Sequence, residues 1–178
     1  MSFPILTSSR LLLRELGAAD TADVFRGLSH PAVIPYYGVS YSSLEATQEQ
    51  MRWYEQLRQE GTGIWWAICA ADTGEFCGAV GLSSLSQQHR KAEIGGWLLP
   101  EWWGRGLMPE ALDLVCRYGF DQLNLHRIEG FVETENDRCR QALRKLAFYH
   151  EGTLRECEMK NGRLISLDIY AQLRNEVK

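Results

Sequence analysis

Hydrophobic periodicity along the first half of the chain predicts a long helix followed by a β-hairpin. Residues 44–60 are rich in Glu, Gln and Arg, and their apolar positions recur at helical spacing: Met51, Trp53, Tyr54 and Leu57. The run Gly61-Thr-Gly63 ends this helix. Residues 64–71 and 76–84 are predicted strands joined by the turn at 72–75, in which Gly74 is expected to take a positive φ.

The remaining segments predict alternating helices and strands. Asp20 is the expected cap of a helix that runs to residue 28, and Asn136 the expected cap of a helix at 136–146. Further predictions are strands at 94–99, 126–133 and 164–173 and a helix at 109–123. No repeat, low-complexity stretch or linker interrupts the 178 residues, so we expect one α/β domain over residues 1–178.

The most informative segment covers residues 93–112. Pro100 stops the apolar strand, because proline cannot donate to a sheet ladder. Gly104 and Gly106 then form a tight turn, and Pro109 stands where a helix begins. A glycine turn before a helix N-terminus presents unpartnered amides, and Arg105 adds a positive charge. This arrangement favours a phosphate or pyrophosphate ligand.

The spacing excludes two common phosphate motifs. A Walker A loop needs Gly-Lys-Ser/Thr, which the segment lacks, and a dinucleotide fingerprint needs a glycine where this chain has Pro109. The segment Trp103–Met108 instead resembles motif A of the GNAT N-acetyltransferases, with Trp103 and Met108 departing from the general pattern. An ordinary strand-to-helix turn is the alternative for the two glycines alone.

Further segments resemble the RimJ/RimL-type branch of that superfamily, which acetylates protein N-termini. The resemblance runs through nearly all 178 residues, and its main segments are residues 93–106, an opening strand within residues 7–16, and residues 136–148. Three positions depart from the branch pattern, namely Cys139, Ala147 and Ser166. The resemblance implies the GNAT acyl-CoA N-acyltransferase fold, a single α/β domain with a mixed, centrally split β-sheet flanked by helices.

The resemblance also implies how acetyl-CoA is held. Backbone amides of Gly104, Arg105, Gly106, Leu107 and Met108, in the segment that starts at Trp103, would bind the pyrophosphate. The strand edge at Gly96-Trp97-Leu98 would pair with the pantetheine arm and polarise the thioester carbonyl. Asn136 is expected to contact the same arm, and the helix cap alone would also explain it.

Glu93 is the leading candidate for the general base, acting directly or through a water. We expect burial to raise its pKa. The structural alternative is a strand-end carboxylate paired with Arg90 or Lys91, and the rival bases are Glu133 and Glu135. In the loop that joins two helices, Tyr36 or Tyr37 is expected to touch the acceptor substrate.

Cys139 is the second catalytic candidate, as an acid for the leaving thiolate. Many GNAT enzymes carry a tyrosine four residues later, where this chain has Leu143. Cys139 is a weak S–H donor, and its place in the first turn of a helix predicts a lowered thiol pKa. The alternatives are a small buried hydrophobe, an acyl-cysteine intermediate, or no acid at all.

Composition narrows the remaining possibilities. The net charge of −4 argues against a nucleic-acid surface, and no apolar run suits a secretory signal or a membrane span. Five cysteines without paired spacing, and four scattered histidines, argue against disulfides and a metal site and for a reducing cytoplasm.

Three functional hypotheses follow. The first is direct acetyl transfer from acetyl-CoA to a protein N-terminal α-amine. The second is transfer to a small amine, such as a polyamine, amino sugar or antibiotic, because residues 89–93 also resemble spermidine acetyltransferases. The third is an acyl-CoA-binding module without turnover. Members of this branch are often dimers, so a homodimer is possible.

Overall fold

A computed structural model describes residues 2–176 as one eight-stranded sheet with helices on both faces. The strands are β1 (Leu6–Thr7), β2 (Leu11–Glu15), β3 (Ile64–Ala70), β4 (Phe76–Ser86), β5 (Lys91–Leu98), β6 (Arg127–Glu133), β7 (Tyr149–Lys160) and β8 (Arg163–Leu173). The helices are α1 (Thr21–Leu28), α2 (Leu44–Glu60), α3 (Leu107–Asp121) and α4 (Asp137–Lys145).

The sheet order is β1-β2-β3-β4-β5-β6-β8-β7, and every neighbouring pair is antiparallel except β5–β6. This parallel pairing is short, since it runs only from Lys91 opposite Arg127 to Glu93 opposite Glu129. Beyond that pair, β5 stays on β4 while β6 continues along β8. The predicted mixed sheet with a central split is therefore confirmed.

Two apolar clusters hold the helices against the sheet. On one face, Leu82, Ile94 and Leu98 pack with α3 residues that include Leu112 and Val115. On the other face, the second cluster joins strand residues to α1 and α2: Val24, Leu28, Tyr54, Trp65, Ala67 and Trp97. The sheet centre is buried on both faces, so the strand edges at the split have a rigid support.

Most predicted elements are present, with three corrections. The helix after the glycine turn begins at Leu107 instead of Pro109, since proline is tolerated in the first turn. Asp20 does not cap α1 through its side chain; its carboxylate accepts from Arg14 and from the amide of Gly17. Strand β7 was not predicted. Within the described residues, no helix has the length and apolarity that a membrane span requires.

Candidate active site

The glycine turn before α3 has the backbone of an anion site. Gly104 and Gly106 both have φ +74°, the left-handed region that favours glycine. The amides of residues 104–106 donate to no acceptor among residues 2–176. The amides of Leu107 and Met108 lie in the first turn of α3, where no helical partner exists. Five consecutive amides are thus available at the positive end of a helix dipole.

Two arginines flank this turn, and each rests on a tryptophan ring. The Arg105 guanidinium carbon lies 4.8 Å from the centroid of Trp102. From the start of α4, the corresponding atom of Arg138 lies 4.4 Å from the centroid of Trp103. Sequence reasoning missed Arg138, because only the tertiary fold brings the first turn of α4 against the turn at residues 103–106. Both charges favour a polyphosphate ligand.

The split in the sheet leaves one edge of β5 open. The amide of Leu99 donates to the carbonyl of Cys77 on the β4 side at 2.8 Å. Because successive residues of a strand point their polar groups to opposite sides, those of Gly96 and Leu98 point away from β4. No strand pairs with this edge beyond Glu93 in the described structure. The Leu98 carbonyl accepts from the Trp103 indole at 2.8 Å.

The side chains of the open edge belong to the core, while its backbone faces the gap. Trp97 and Leu98 are buried in the two opposite clusters. A Cβ on Gly96 would come within 3.2 Å of the Met108 sulfur, so the edge and the first turn of α3 are in direct contact. The open edge and the row of free amides therefore form one continuous surface.

Glu93 lies at the point where the split begins. It is half-buried, and its carboxylate forms no ion pair or hydrogen bond with any residue that the structure describes. The predicted partners are engaged elsewhere: Lys91 binds Glu129 at 2.9 Å and Arg90 binds Asn124 at 3.0 Å. Burial raises the pKa of the Glu93 carboxyl, and the negative charges of Glu129 and Glu158 add to this effect.

The rival carboxylates are paired. Glu133 forms an ion pair with Lys160, whose ammonium also donates to the carbonyl of Pro35. Glu135 forms an exposed ion pair with Arg163 at 2.5 Å. Lys160 thereby connects the end of β6, the end of β7 and the loop before α2. Of these three carboxylates, only that of Glu93 has no cation partner among the described residues.

The two tyrosines of that loop differ in environment. Tyr36 has 48% of its surface exposed. Tyr37 packs into the cluster with α1 and α2, where burial and the neighbouring Tyr54 phenol raise its pKa well above the usual range. Tyr36 is therefore accessible from solvent. Tyr37 lies beside Tyr54, whose hydroxyl accepts from the Trp97 indole at 3.4 Å.

Asn136 and Cys139 begin α4 as predicted, but the thiol does not behave as expected. The Asn136 side-chain oxygen accepts from the Cys139 amide at 3.1 Å, which confirms the cap. The thiol packs against the α3-side cluster. Burial raises the pKa of Cys139 to about 11, so the prediction of a lowered pKa is wrong. Desolvation of the thiolate outweighs the favourable helix N-terminus.

The family model of the acetyltransferase (GNAT) domain matches residues 10–149. The chain belongs to this family. The predicted superfamily and enzyme class, an acetyl-CoA-dependent N-acetyltransferase, are therefore confirmed. The described residues contain no group of His, Cys, Asp and Glu arranged to hold a metal ion.

Similar proteins support the acetyltransferase assignment. The uncharacterized N-acetyltransferase YoaA of Bacillus subtilis is 37% identical over 95% of this chain and 96% of its own length. The fold matches RimL, a ribosomal L7/L12 α-N-protein acetyltransferase solved with coenzyme A, with TM-score 0.88, 20% identity and coverage of 97% and 99%. The spermidine N-acetyltransferase of Vibrio cholerae, solved with CoA and spermine, gives TM-score 0.84, 25% identity and coverage of 95% and 98%.

Proposed function

We propose that this acetyltransferase transfers the acetyl group of acetyl-CoA directly to a protein N-terminal α-amine of the ribosomal-protein type. The observation that carries the proposal is the order of three features along one stretch of chain. The unpaired carboxylate of Glu93 comes first, then the open edge at Gly96–Leu98, then the free amides of residues 104–108. A CoA molecule laid along this surface places its thioester beside Glu93.

Each part of the cofactor has a matching partner. The pyrophosphate accepts from the amides of residues 104–108, and Arg105 and Arg138 neutralise its charge. The amide-rich pantetheine arm pairs with Gly96 and Leu98 as an added strand, next to Asn136. An amide of this edge also donates to the thioester carbonyl and stabilises the oxyanion as it forms.

Glu93 receives the proton of the amine. The amine nitrogen attacks the thioester carbonyl carbon, and the carbon–sulfur bond breaks. The acetyl group is then bonded to the nitrogen, and CoA leaves as a thiolate. A raised pKa brings Glu93 closer to an α-amine, whose own pKa is about 8, than an ordinary carboxylate would be. Lysine, at about 10.4, is a poorer match.

Cys139 donates a hydrogen bond to the departing sulfur. A thiol with a pKa of about 11 stays protonated at neutral pH, which makes it a donor and a poor nucleophile. It is also a weaker acid than an ordinary thiol, so full proton transfer from Cys139 to the CoA thiolate is unfavourable. The thiolate therefore takes its proton from solvent. An acyl-cysteine intermediate is disfavoured for the same reason.

A small polyamine is the second candidate acceptor. The spermidine acetyltransferase relative supports it, and so does the negative charge of Glu158, which lies close enough to Glu93 to raise the pKa of that carboxyl. Either acceptor would meet Tyr36 at the exposed end of the loop before α2. The five free cysteines support a cytoplasmic location, and a homodimer stays a prediction.

The acceptor is tested by measuring CoA thiol release from acetyl-CoA against a matched panel. Each peptide is supplied with a free N-terminus, with a blocked N-terminus, and with a blocked N-terminus plus an internal lysine, beside spermidine and an aminoglycoside. Release that requires the free α-amine supports the proposal. Release with small amines alone contradicts it and favours the second candidate.

A further inference from the structure

Arg10 connects the start of β2 to the glycine turn almost one hundred residues later. Its Nη1 donates to the Arg105 carbonyl at 2.9 Å, and its Nη2 lies 3.5 Å from the Gly106 carbonyl. Its Nε donates to Glu110 in the first turn of α3 at 2.7 Å. The hydroxyl of Ser8 donates to the other oxygen of the same carboxylate at 2.5 Å. One guanidinium thus donates four hydrogen bonds to the turn and to the helix that follows it, two to backbone carbonyls and two to the Glu110 carboxylate.

The two carbonyl contacts determine where the neighbouring amides point. The Arg105 carbonyl shares a peptide plane with the Gly106 amide, and the Gly106 carbonyl shares one with the Leu107 amide. In a trans peptide the C=O and N–H bonds point in opposite directions. By holding both carbonyls on its own side, Arg10 directs the amides of Gly106 and Leu107 to the opposite side.

Arg10 also changes the electrostatics of the helix N-terminus. The Glu110 carboxylate lies in the first turn of α3, where its negative charge would repel an anionic ligand. Partial burial raises the pKa of Glu110, but hydrogen bonds from Ser8 and Arg10 lower it by more than burial raises it. The net pKa lies below the usual value, so the carboxyl stays ionised. The ion pair with Arg10 neutralises that charge and leaves the helix dipole free to attract phosphate.

We propose that Arg10 is a positioning residue for the CoA pyrophosphate, acting through the backbone of residues 105–107 and through Glu110. This inference rests on the proposed site of CoA at residues 104–108. It assigns Arg10 no contact with the thioester or the amine. The dependence on Arg10 should therefore disappear with an acetyl donor that has no pyrophosphate.

The test compares Arg10→Ala with the unmodified enzyme on two donors, acetyl-CoA and S-acetylpantetheine. We expect KM for acetyl-CoA to rise by about tenfold or more, the effect expected when hydrogen bonds to charged groups are lost. With S-acetylpantetheine, KM and kcat should stay unchanged. Arg58→Ala is the matched control, because Arg58 forms another arginine–glutamate pair, with Glu15 at 2.7 Å, away from the turn.

The remaining outcomes separate the inference from the proposed function. An equal loss with both donors, or no loss with either, overturns the role of Arg10. Gly106→Ala, which strains the left-handed turn, reports on the site itself. If Gly106→Ala also leaves the donor preference unchanged, the pyrophosphate lies elsewhere and the proposed site fails. If Arg10→Ala does not fold, the same two donors are compared with Arg10→Lys, which keeps the charge but cannot bind both carbonyls and Glu110 at once. The same selective rise of KM for acetyl-CoA is expected.

Discussion

Glu93 and Glu129 are the last parallel pair between β5 and β6, and within residues 2–176 only Glu129 is paired with cations. Lys91 and Arg127 bind Glu129 at 2.9 and 2.7 Å. Burial raises the pKa of both carboxyls, but these cations bring that of Glu129 below its usual range. Glu129 is thus a fixed negative charge that raises the pKa of Glu93. This difference in environment suits Glu129 to a structural role and Glu93 to the proposed proton transfer.

Removing Lys91 should shift the pH dependence of the reaction. The ammonium lowers the pKa of Glu93, so Lys91→Met should raise it further. The rising limb of kcat/KM that belongs to Glu93 then moves to higher pH, because a higher pKa requires a higher pH for ionisation. The measurement is the pH profile of kcat/KM beside that of Arg117→Met, which breaks an exposed pair on α3. Superimposable profiles would contradict the electrostatic account.

Arg138 should contribute to affinity for the cofactor. We expect Arg138→Ala to weaken acetyl-CoA binding by about tenfold in low salt, and the difference to shrink as salt screens the charge. Calorimetric titration at two ionic strengths measures both effects. Arg144→Ala, an exposed arginine in the last turn of the same helix, is the control. Equal losses in the two variants would show a nonspecific charge effect.

Gly27 should be needed for the fold around Trp97. A Cβ at Gly27 would lie 2.1 Å from the indole ring of Trp97. Gly27→Ala should therefore destabilise the protein by roughly 1–3 kcal/mol, although alanine in a helix ordinarily stabilises by about 1 kcal/mol over glycine. Gly17→Ala, where no atom lies within 4 Å of the new Cβ, is the control in denaturant unfolding. A Gly27→Ala variant with a higher free energy of unfolding than the unmodified protein would contradict the close packing of Gly27 against Trp97.

Cys139 should be unreactive despite its place at a helix N-terminus. With a thiol pKa of about 11, we expect iodoacetamide at neutral pH to modify the exposed Cys157 and to leave Cys139 unmodified. Peptide mapping by mass spectrometry measures both sites. Cys139→Ser should keep most of the activity. An acetylated Cys139 peptide trapped during turnover would contradict direct transfer.

The secondary structure was predicted correctly where the hydrophobic periodicity and the turn residues pointed to the same element bounds. Helix α2 has the predicted bounds, since its apolar spacing ends at Gly61, which takes a left-handed φ of 67°. Gly74 has the expected positive φ. Strand β7 gave no signal because ten of its twelve residues are exposed and apolar and polar positions do not alternate. As an edge strand, it pairs in the sheet with β8 alone among the described strands.

The parts of the candidate site that lie within one short segment could be predicted from the sequence, whereas contacts between distant segments could not. The glycine turn and Glu93 could be named because each lies within one short segment, and the open edge could be named because that segment resembles the GNAT family. The contacts of Arg10 and Arg138 join distant segments, so no local pattern contains them. The pKa of Cys139 was predicted with the wrong sign, because helix position can be read from sequence and burial of the thiol cannot.

The most direct test of the account is Glu93→Gln, measured for both turnover and cofactor affinity. If Glu93 is the base at the split, kcat should fall by about a hundredfold, within the usual range for a general base. The Kd for acetyl-CoA should stay unchanged, because no proposed cofactor contact involves this side chain. Unchanged kcat would contradict the assignment of the base. A Kd weakened in proportion to the lost activity would show that Glu93 serves the cofactor site instead.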